Sequence, residues 1–294
     1  MNHLLTFEHE TTASLLALLN TAETLKKDLK AGQRTPVLSG KTLALIFQKP
    51  STRTRVSFEV GMKQLGGDVV HLQEHEMGLG KREPIADVAQ VLSRYVDGIM
   101  IRANSHADIE ALAASSSVPV INGLSDLAHP CQALADVLTL QENFGRLDGL
   151  KLTYIGDGNN VCYSLIEIAQ KLGIHVTVAC PKGYEPVVPS TWTYTLTHDP
   201  MAGAQGAHAL YTDVWASMGQ ESEHQKRLQA FSGFTVTTDL MNQADSEAIF
   251  LHCLPAHRGE EVAAAVLDQS YSKIFDQAEN RMHAQKGLLV RALS

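Results

Sequence analysis

Short apolar runs alternate along most of the chain with longer stretches in which apolar residues recur at helical spacing. Thr12 to Lys30 carries Leu15, Leu16, Leu19 and Leu25 at roughly that spacing and gives way to Gly32, which predicts an amphipathic first helix. Thr42-Leu43-Ala44-Leu45-Ile46-Phe47 reads as a buried strand, and Pro50 sits where a chain turns into a helix. Phe58, Met62 and Leu65 carry that next helix as far as Gly66-Gly67. Further strands are predicted at 68–72, 98–101, 118–121, 152–155, 176–179, 209–212 and 248–251. Helices are predicted at 85–95, 107–114, 130–141 and 161–172, with Arg281 at the start of a last helix. Repeated strand–helix units of this kind predict an α/β fold of two domains, each a mostly parallel sheet with helices on both faces.

Composition narrows the function classes. A chain of 294 residues with 44% hydrophobic content can bury a large core and divide it between two domains. The net charge of −8 gives no basic footprint for nucleic acid and no polybasic run for a membrane surface, so any anion site must be local. No apolar run approaches the ~18 residues of a spanning helix. The start, Met1-Asn2-His3 with Glu8 and Glu10 soon after, lacks the basic and apolar regions of a secretory signal, so a cytoplasmic location is expected. Cys131, Cys162, Cys180 and Cys253 are far apart and form no CxxC pair, so thiols are expected rather than a disulfide framework or zinc knuckle.

Candidate chemistry gathers at strand ends. Ser51-Thr52-Arg53-Thr54-Arg55 opens a helix directly after a strand and puts two guanidiniums beside three hydroxyls. The first turn of a helix has unpaired N–H groups and the positive end of its dipole, so this is a seat for phosphate. A bland N-cap with solvated arginines is the alternative, and five such residues in a row weigh against it. Gln73 to Pro84, with Gly78-Leu79-Gly80-Lys81-Arg82, reads either as a loop that closes over a ligand or as a solvated surface loop. Arg102 falls at the carboxyl end of a strand, where open parallel sheets collect their ligands. His129 and Gln132, three apart at a helix mouth next to Pro130, can face one small polar molecule.

In the second half, Gly156-Asp157-Gly158-Asn159-Asn160 imitates a dinucleotide turn. Val161 stands where the third glycine belongs, so the turn is expected to offer Asn159 or Asn160 to a substrate instead. Asp213 and Ser217, four apart beyond a strand, either hold an amine or cap a helix. His252-Cys253-Leu254-Pro255 puts a thiol at another strand end. His252, Cys253 and His257 are metal ligands on paper, but nothing nearby supplies the carboxylates that orient such ligands, and no metal is expected.

Together, Ser51-Thr52-Arg53-Thr54-Arg55, His129-Pro130-Cys131-Gln132 and His252-Cys253-Leu254-Pro255 resemble the transcarbamylases over nearly the whole chain. Asp213-Val214-Trp215-Ala216-Ser217-Met218-Gly219 with the cysteine-containing segment resembles the ornithine branch of that family rather than the aspartate, putrescine or acetylornithine branches. The resemblance implies a carbamoyl-phosphate domain, 1–134, to which a last helix at 276–294 returns, and an ornithine domain, 135–275. It also implies a homotrimer with shared active sites, the Gln73 to Pro84 loop lying close to a neighbouring subunit's site. Ser51, Thr52, Arg53, Thr54, Arg102, His129, Gln132 and Arg281 would bind carbamoyl phosphate, with Cys253 and Leu254 lining its carbamoyl end. Asn160, Asp213, Ser217 and Met218 would hold L-ornithine. One departure is visible: only nine residues, Val187 to Thr195, stand where the family usually has a helix, so one face of the second sheet is expected to be less covered, with Trp192 and Tyr194 filling part of the gap.

The implied reaction moves a carbamoyl group onto the side-chain amine of L-ornithine, giving L-citrulline and phosphate in arginine metabolism, with no metal or organic cofactor. Thr54, Arg102 and His129 would polarise the carbonyl, and Gln132 and the Leu254 carbonyl would orient the carbamoyl NH2. An amine with a pKa near ~10.4 must be neutral to attack, which costs roughly 4 to 5 kcal/mol at neutral pH. Contact with Asp213 would raise that pKa further. Asp213 is therefore expected to place the ammonium and Cys253 to accept its proton, so activity should rise with pH. The alternatives are a carbamoyltransferase for another amine or amino acid, and a non-catalytic anion-binding protein.

Overall fold

The computed structural model describes residues 3–73, 77–78, 82–216 and 223–294. The chain forms two compact units, Met1–Ala135 with Arg281–Ser294, and Asp136–Asn280.

In the first unit, four strands, β1 (Thr42–Phe47), β2 (Asp68–Gln73), β3 (Gly98–Arg102) and β4 (Val120–Leu124), form one sheet in the order β2-β1-β3-β4. Every pairing is parallel. Helices α1 (Thr12–Lys30), α2 (Thr52–Gln64), α3 (Ile85–Leu92) and α4 (His106–Ser115) accompany it. Ala44, Ile46, Ile99, Ile101, Ile109 and Leu112 make one core cluster, as strands buried along their whole length require. Register does the positioning: Phe47 at the end of β1 lies opposite Arg102 at the end of β3. The turn into α2 and the Arg102 side chain therefore emerge at neighbouring strand ends.

The second unit has five parallel strands in the order β7-β6-β5-β8-β9. They are β5 (Lys151–Ile155), β6 (His175–Ala179), β7 (Thr195–Thr197), β8 (Ala209–Thr212) and β9 (Ile249–His252). Ile155 pairs with Thr212 and Thr212 with His252, so the residues that follow these three strands leave the sheet side by side. Trp215 stacks on Phe231 at 5.3 Å within the main core of this unit.

Helix α5 (Pro130–Phe144) holds the boundary at Ala135, α6 (Asn160–Lys171) follows β5, and the short helices α7 (Pro200–Ala204), α8 (His224–Ala230), α9 (Thr238–Met241) and α10 (Ala264–Leu267) fill the remainder. The last helix, α11, runs over Ile274–Leu293, so Arg281 lies two turns inside it rather than at its start. Where the sequence is short, no helix forms between β6 and β7; Trp192 instead packs on Tyr163 of α6 at 4.8 Å, and Leu196 on the edge strand stays exposed.

Candidate active site

Within the first unit, polar groups converge where β1, β3 and α5 present their ends. Ser51 caps α2: its hydroxyl accepts the Thr54 N–H at 3.4 Å and donates to Thr54 Oγ1 at 3.1 Å. Thr54 is thereby turned inward and buried, while Thr52 and Arg53 remain exposed on the first turn. Arg281 reaches the same point from α11. Its Nη2 donates to Thr54 Oγ1 at 3.4 Å, and its Nη1 donates to Gln132 Oε1 at 2.6 Å and to His129 Nε2 at 3.5 Å. Thr54, the His129 and Gln132 pair at the start of α5, and Arg281, all far apart in sequence, thus share one cluster.

The cluster is cationic beyond its own means. Burial, with the charges of Arg281 and Arg53, brings the Arg102 guanidinium down to about 10. Its Nε is buried without a hydrogen-bond partner, as a group awaiting an anion would be. Burial and the charges of Arg281, Arg102 and Arg53 push His129 well below the usual imidazole range, so the ring is neutral. Accepting from Arg281 on Nε2, it carries its proton on Nδ1. Cys131, the second residue of α5, is pushed up to about 12 by burial and donates to the Asn122 carbonyl, which makes it structural.

The second unit brings together the residues after β5, β8 and β9. Cys253 Sγ donates to Asp213 Oδ1 at 2.8 Å, and Asn159 Nδ2 donates to Asp213 Oδ2 at 2.9 Å. Asp213 is buried, so these bonds hold its carboxylate in one orientation. Asn159 does two jobs, because its Oδ1 also caps α6 by accepting the Val161 and Cys162 N–H groups at 3.0 and 3.1 Å. Asn160 is the first residue of α6, beside it. Gly158 lies so close to Glu185 and Pro186 that a Cβ would overlap their backbone, which accounts for glycine in this turn. Arg227 anchors the approach: its Nη1 donates to Asp157 at 2.6 Å and to the Trp215 carbonyl at 2.8 Å.

Ser217 and Met218, expected to hold ornithine, lie outside the described residues, as do 74–76 and 79–81 of the Gln73 to Pro84 loop. His252, Cys253 and His257 do not come together as three ligands: His252 and Cys253 gather with Asp213, and His257 with Glu260 and Glu261. Sequence reasoning missed the role of Asn159 towards Asp213. The signal was the pair of asparagines at a helix start, one of which has to cap.

One parallel-sheet unit carries a cationic, helix-capped anion seat and the other a fixed thiol–carboxylate pair, the kinds of group that a transferase of a small anionic donor uses. The chain belongs to the aspartate/ornithine carbamoyltransferase family. The family's carbamoyl-P binding domain matches residues 2–142 and its Asp/Orn binding domain residues 148–292. An ornithine carbamoyltransferase of Thermococcus kodakarensis is 53% identical over 290 residues, covering 95% of this chain and 92% of that protein. Among solved structures, the ornithine carbamoyltransferase of Pyrococcus furiosus superposes with a TM-score of 0.95 at 49% identity, covering 99% of this chain and 97% of the other. That of Thermus thermophilus gives 0.92 at 49% identity, with 99% of each chain covered.

Proposed function

We propose that the protein transfers the carbamoyl group of carbamoyl phosphate to the side-chain amine of L-ornithine, forming L-citrulline and inorganic phosphate. The observation that carries this reading to ornithine is the Cys253–Asp213 pair at 2.8 Å, set by the register of β8 and β9. Ser51, Thr52, Arg53, Thr54, Arg102, His129, Gln132 and Arg281 hold the donor, its phosphate at the start of α2. Thr54, Arg102 and His129 stabilise the oxygen of the carbamoyl group as it becomes negative. His129 does so as a neutral imidazole. Gln132 Oε1 already accepts from Arg281, so it can take the carbamoyl NH2 only through its second lone pair. Cys253 and Leu254 remain assigned to the carbamoyl end, and Asn160, Asp213, Ser217 and Met218 to ornithine.

The amine loses a proton before attack, its lone pair forms the new N–C bond, and the bond from the carbamoyl carbon to the bridging oxygen breaks, that oxygen leaving with the phosphate. The second amine proton leaves as the tetrahedral intermediate collapses, so one proton is released when the other goes to phosphate. Asp213 places the ammonium and Cys253 lies next to it as the route for the proton. None of these steps calls for a metal.

A homotrimer and a cytoplasmic, arginine-biosynthetic role belong to the same proposal. The exposed apolar side chains Val56, Val60, Val70, Val91 and Tyr95 of the first unit support assembly. A Pyrococcus furiosus relative, 50% identical over 297 residues, is named the anabolic enzyme. Substitution separates this reading from that of an anion-binding protein: Cys253→Ala should abolish most citrulline formation yet leave phosphate affinity unchanged, whereas Arg53→Ala should weaken phosphate binding. A Cys253→Ala protein with full turnover would contradict the proposal.

A further inference from the structure

His252 precedes the thiol and is not assigned above to either substrate, yet its ring is the most constrained group near Cys253. The Leu254 N–H can only donate, so at 2.8 Å from His252 Nδ1 it requires that nitrogen to be an acceptor. The ring's proton is then on Nε2, directed at Glu261 Oε1 at 3.1 Å. Both side chains are completely buried. Glu261 Oε1 also accepts the His257 N–H at 2.6 Å, while Oε2 is buried with no hydrogen-bond partner. The backbone of His252 is pinned separately, its N–H donating at 2.9 Å to Gln277 Oε1, and Gln277 Nε2 donates at 2.7 Å to Asp136. Leu254 has φ +58 and is the one non-glycine residue with positive φ among the described residues, a conformation that a side chain with a Cβ adopts only when something holds it.

A buried carboxylate with a bare oxygen is a poor choice for stability alone. We infer that His252 and Glu261 are a positioning pair: Glu261 fixes the His252 tautomer, and His252 Nδ1 then holds Leu254 in its left-handed conformation. That conformation sets the direction of the Cys253 thiol towards Asp213 and of the Leu254 carbonyl. Neither His252 nor Glu261 touches substrate. The inference rests on the carbamoyl-transfer reading for its meaning in turnover, while its geometric content is independent of which amine reacts.

The test compares His252→Asn with His252→Gln. Asparagine can accept from the N–H two residues on, as in an Asx turn, and so replaces Nδ1; glutamine replaces the Nε2 donor instead. Two readouts are taken on the full chain: the rate at which iodoacetamide alkylates Cys253, followed by peptide mass, and the kcat and KM of citrulline formation. For His252→Asn both rates should stay within about threefold of the parent. For His252→Gln, Cys253 should be alkylated at least about fivefold faster and kcat should fall about 20-fold or more, with the KM for carbamoyl phosphate within about twofold. Equal behaviour of the two variants in both readouts would overturn the inference.

If neither His252 variant folds, Glu261→Gln and Glu261→Met take their place. The amide oxygen of the first keeps both hydrogen bonds and should preserve the parent rates, and the second should show the His252→Gln pattern. A Glu261→Met protein with parental alkylation would overturn the inference equally. Should the parent form no citrulline, the carbamoyl-transfer reading fails, and the alkylation comparison still decides whether the pair positions the segment.

Discussion

Arg102→Met should make the ligand-free protein more stable while removing most of its affinity for phosphate. Burial is the largest reason that the Arg102 guanidinium falls from its ordinary value to about 10, followed by the charges of Arg281 and Arg53. At about 1.4 kcal/mol per pKa unit, the charged side chain costs the ligand-free fold on the order of 3 kcal/mol. The sign follows from a depressed base: the penalty is fully present below about 10 and fades as pH rises further towards the ordinary guanidinium range, so at pH 7 all of it is felt. Methionine keeps much of the stem's volume and carries no charge, so some ~1 to 3 kcal/mol should be recovered. At roughly 2 to 4 °C per kcal/mol, the thermal midpoint rises by several degrees. Phosphate stabilises the parent more than the variant. A ligand at 100 times its Kd raises stability by about 2.7 kcal/mol. Losing a charge-assisted hydrogen bond, worth about 1.5 to 3 kcal/mol, weakens binding roughly 10- to 100-fold and shrinks that gain. Calorimetric melting with and without inorganic phosphate reads both effects. A variant that melts lower than the parent without phosphate, or that gains as much from it, would refute the reasoning.

Asp213→Asn removes the charge that Cys253 and Asn159 hold in place, and kcat/KM for ornithine should fall about 100- to 1,000-fold; an unchanged phosphate Kd by titration calorimetry would localise the loss to the acceptor side. Because His129 lies well below 6.5, it stays neutral from pH 6 to 9, and the rise of activity across that range belongs to the amine; a flat profile would sink the assignment. The same depression means that the unfolded state takes up a proton near 6.5 that the folded state refuses. Urea stability should therefore be unaffected by His129 above that pH and decline below it, and His129→Gln should lessen the decline. Gly287→Ala would place a Cβ 2.7 Å from the Leu18 carbonyl and 3.1 Å from Ala22 Cβ, so despite the better helix former the unfolding free energy from urea titration should drop by about 1 to 3 kcal/mol.

The strand ends were legible because an apolar run followed by a polar turn is a local signal: Phe47 before Ser51, Ile155 before Gly156, and Thr212 before Asp213 all sit where periodicity places them. What was not legible depends on burial of polar groups or on long range. The last helix buries Gln277, Asn280, Arg281, His283, Gln285 and Lys286, so its inward face does not look apolar, and the residues alone put Arg281 at its start where the helix begins at Ile274. The strand Thr195–Thr197 and the helices at 200–204, 238–241 and 264–267 are too short for any period to register. Asn159 is legible only as one of two asparagines in the turn after β5, while its cap on α6 is a structural finding and its bond to Asp213, 54 residues away, exists only once β5 and β8 pair. Glu261 is one of two adjacent acids after Gly259, with no local signal to say which is buried, and only the fold turns it inward to His252.

The central claim is tested most directly by citrulline formation from carbamoyl phosphate and ornithine at pH 8, run beside the same assay with putrescine, acetylornithine and aspartate as acceptors. Turnover with ornithine alone is the expected result, and it would join the Asp213 and Cys253 assignments to the phosphate seat in one reaction. Turnover with another acceptor, or with none, would contradict the account of the second unit while leaving the anion seat around Arg281 to be explained by a different reaction.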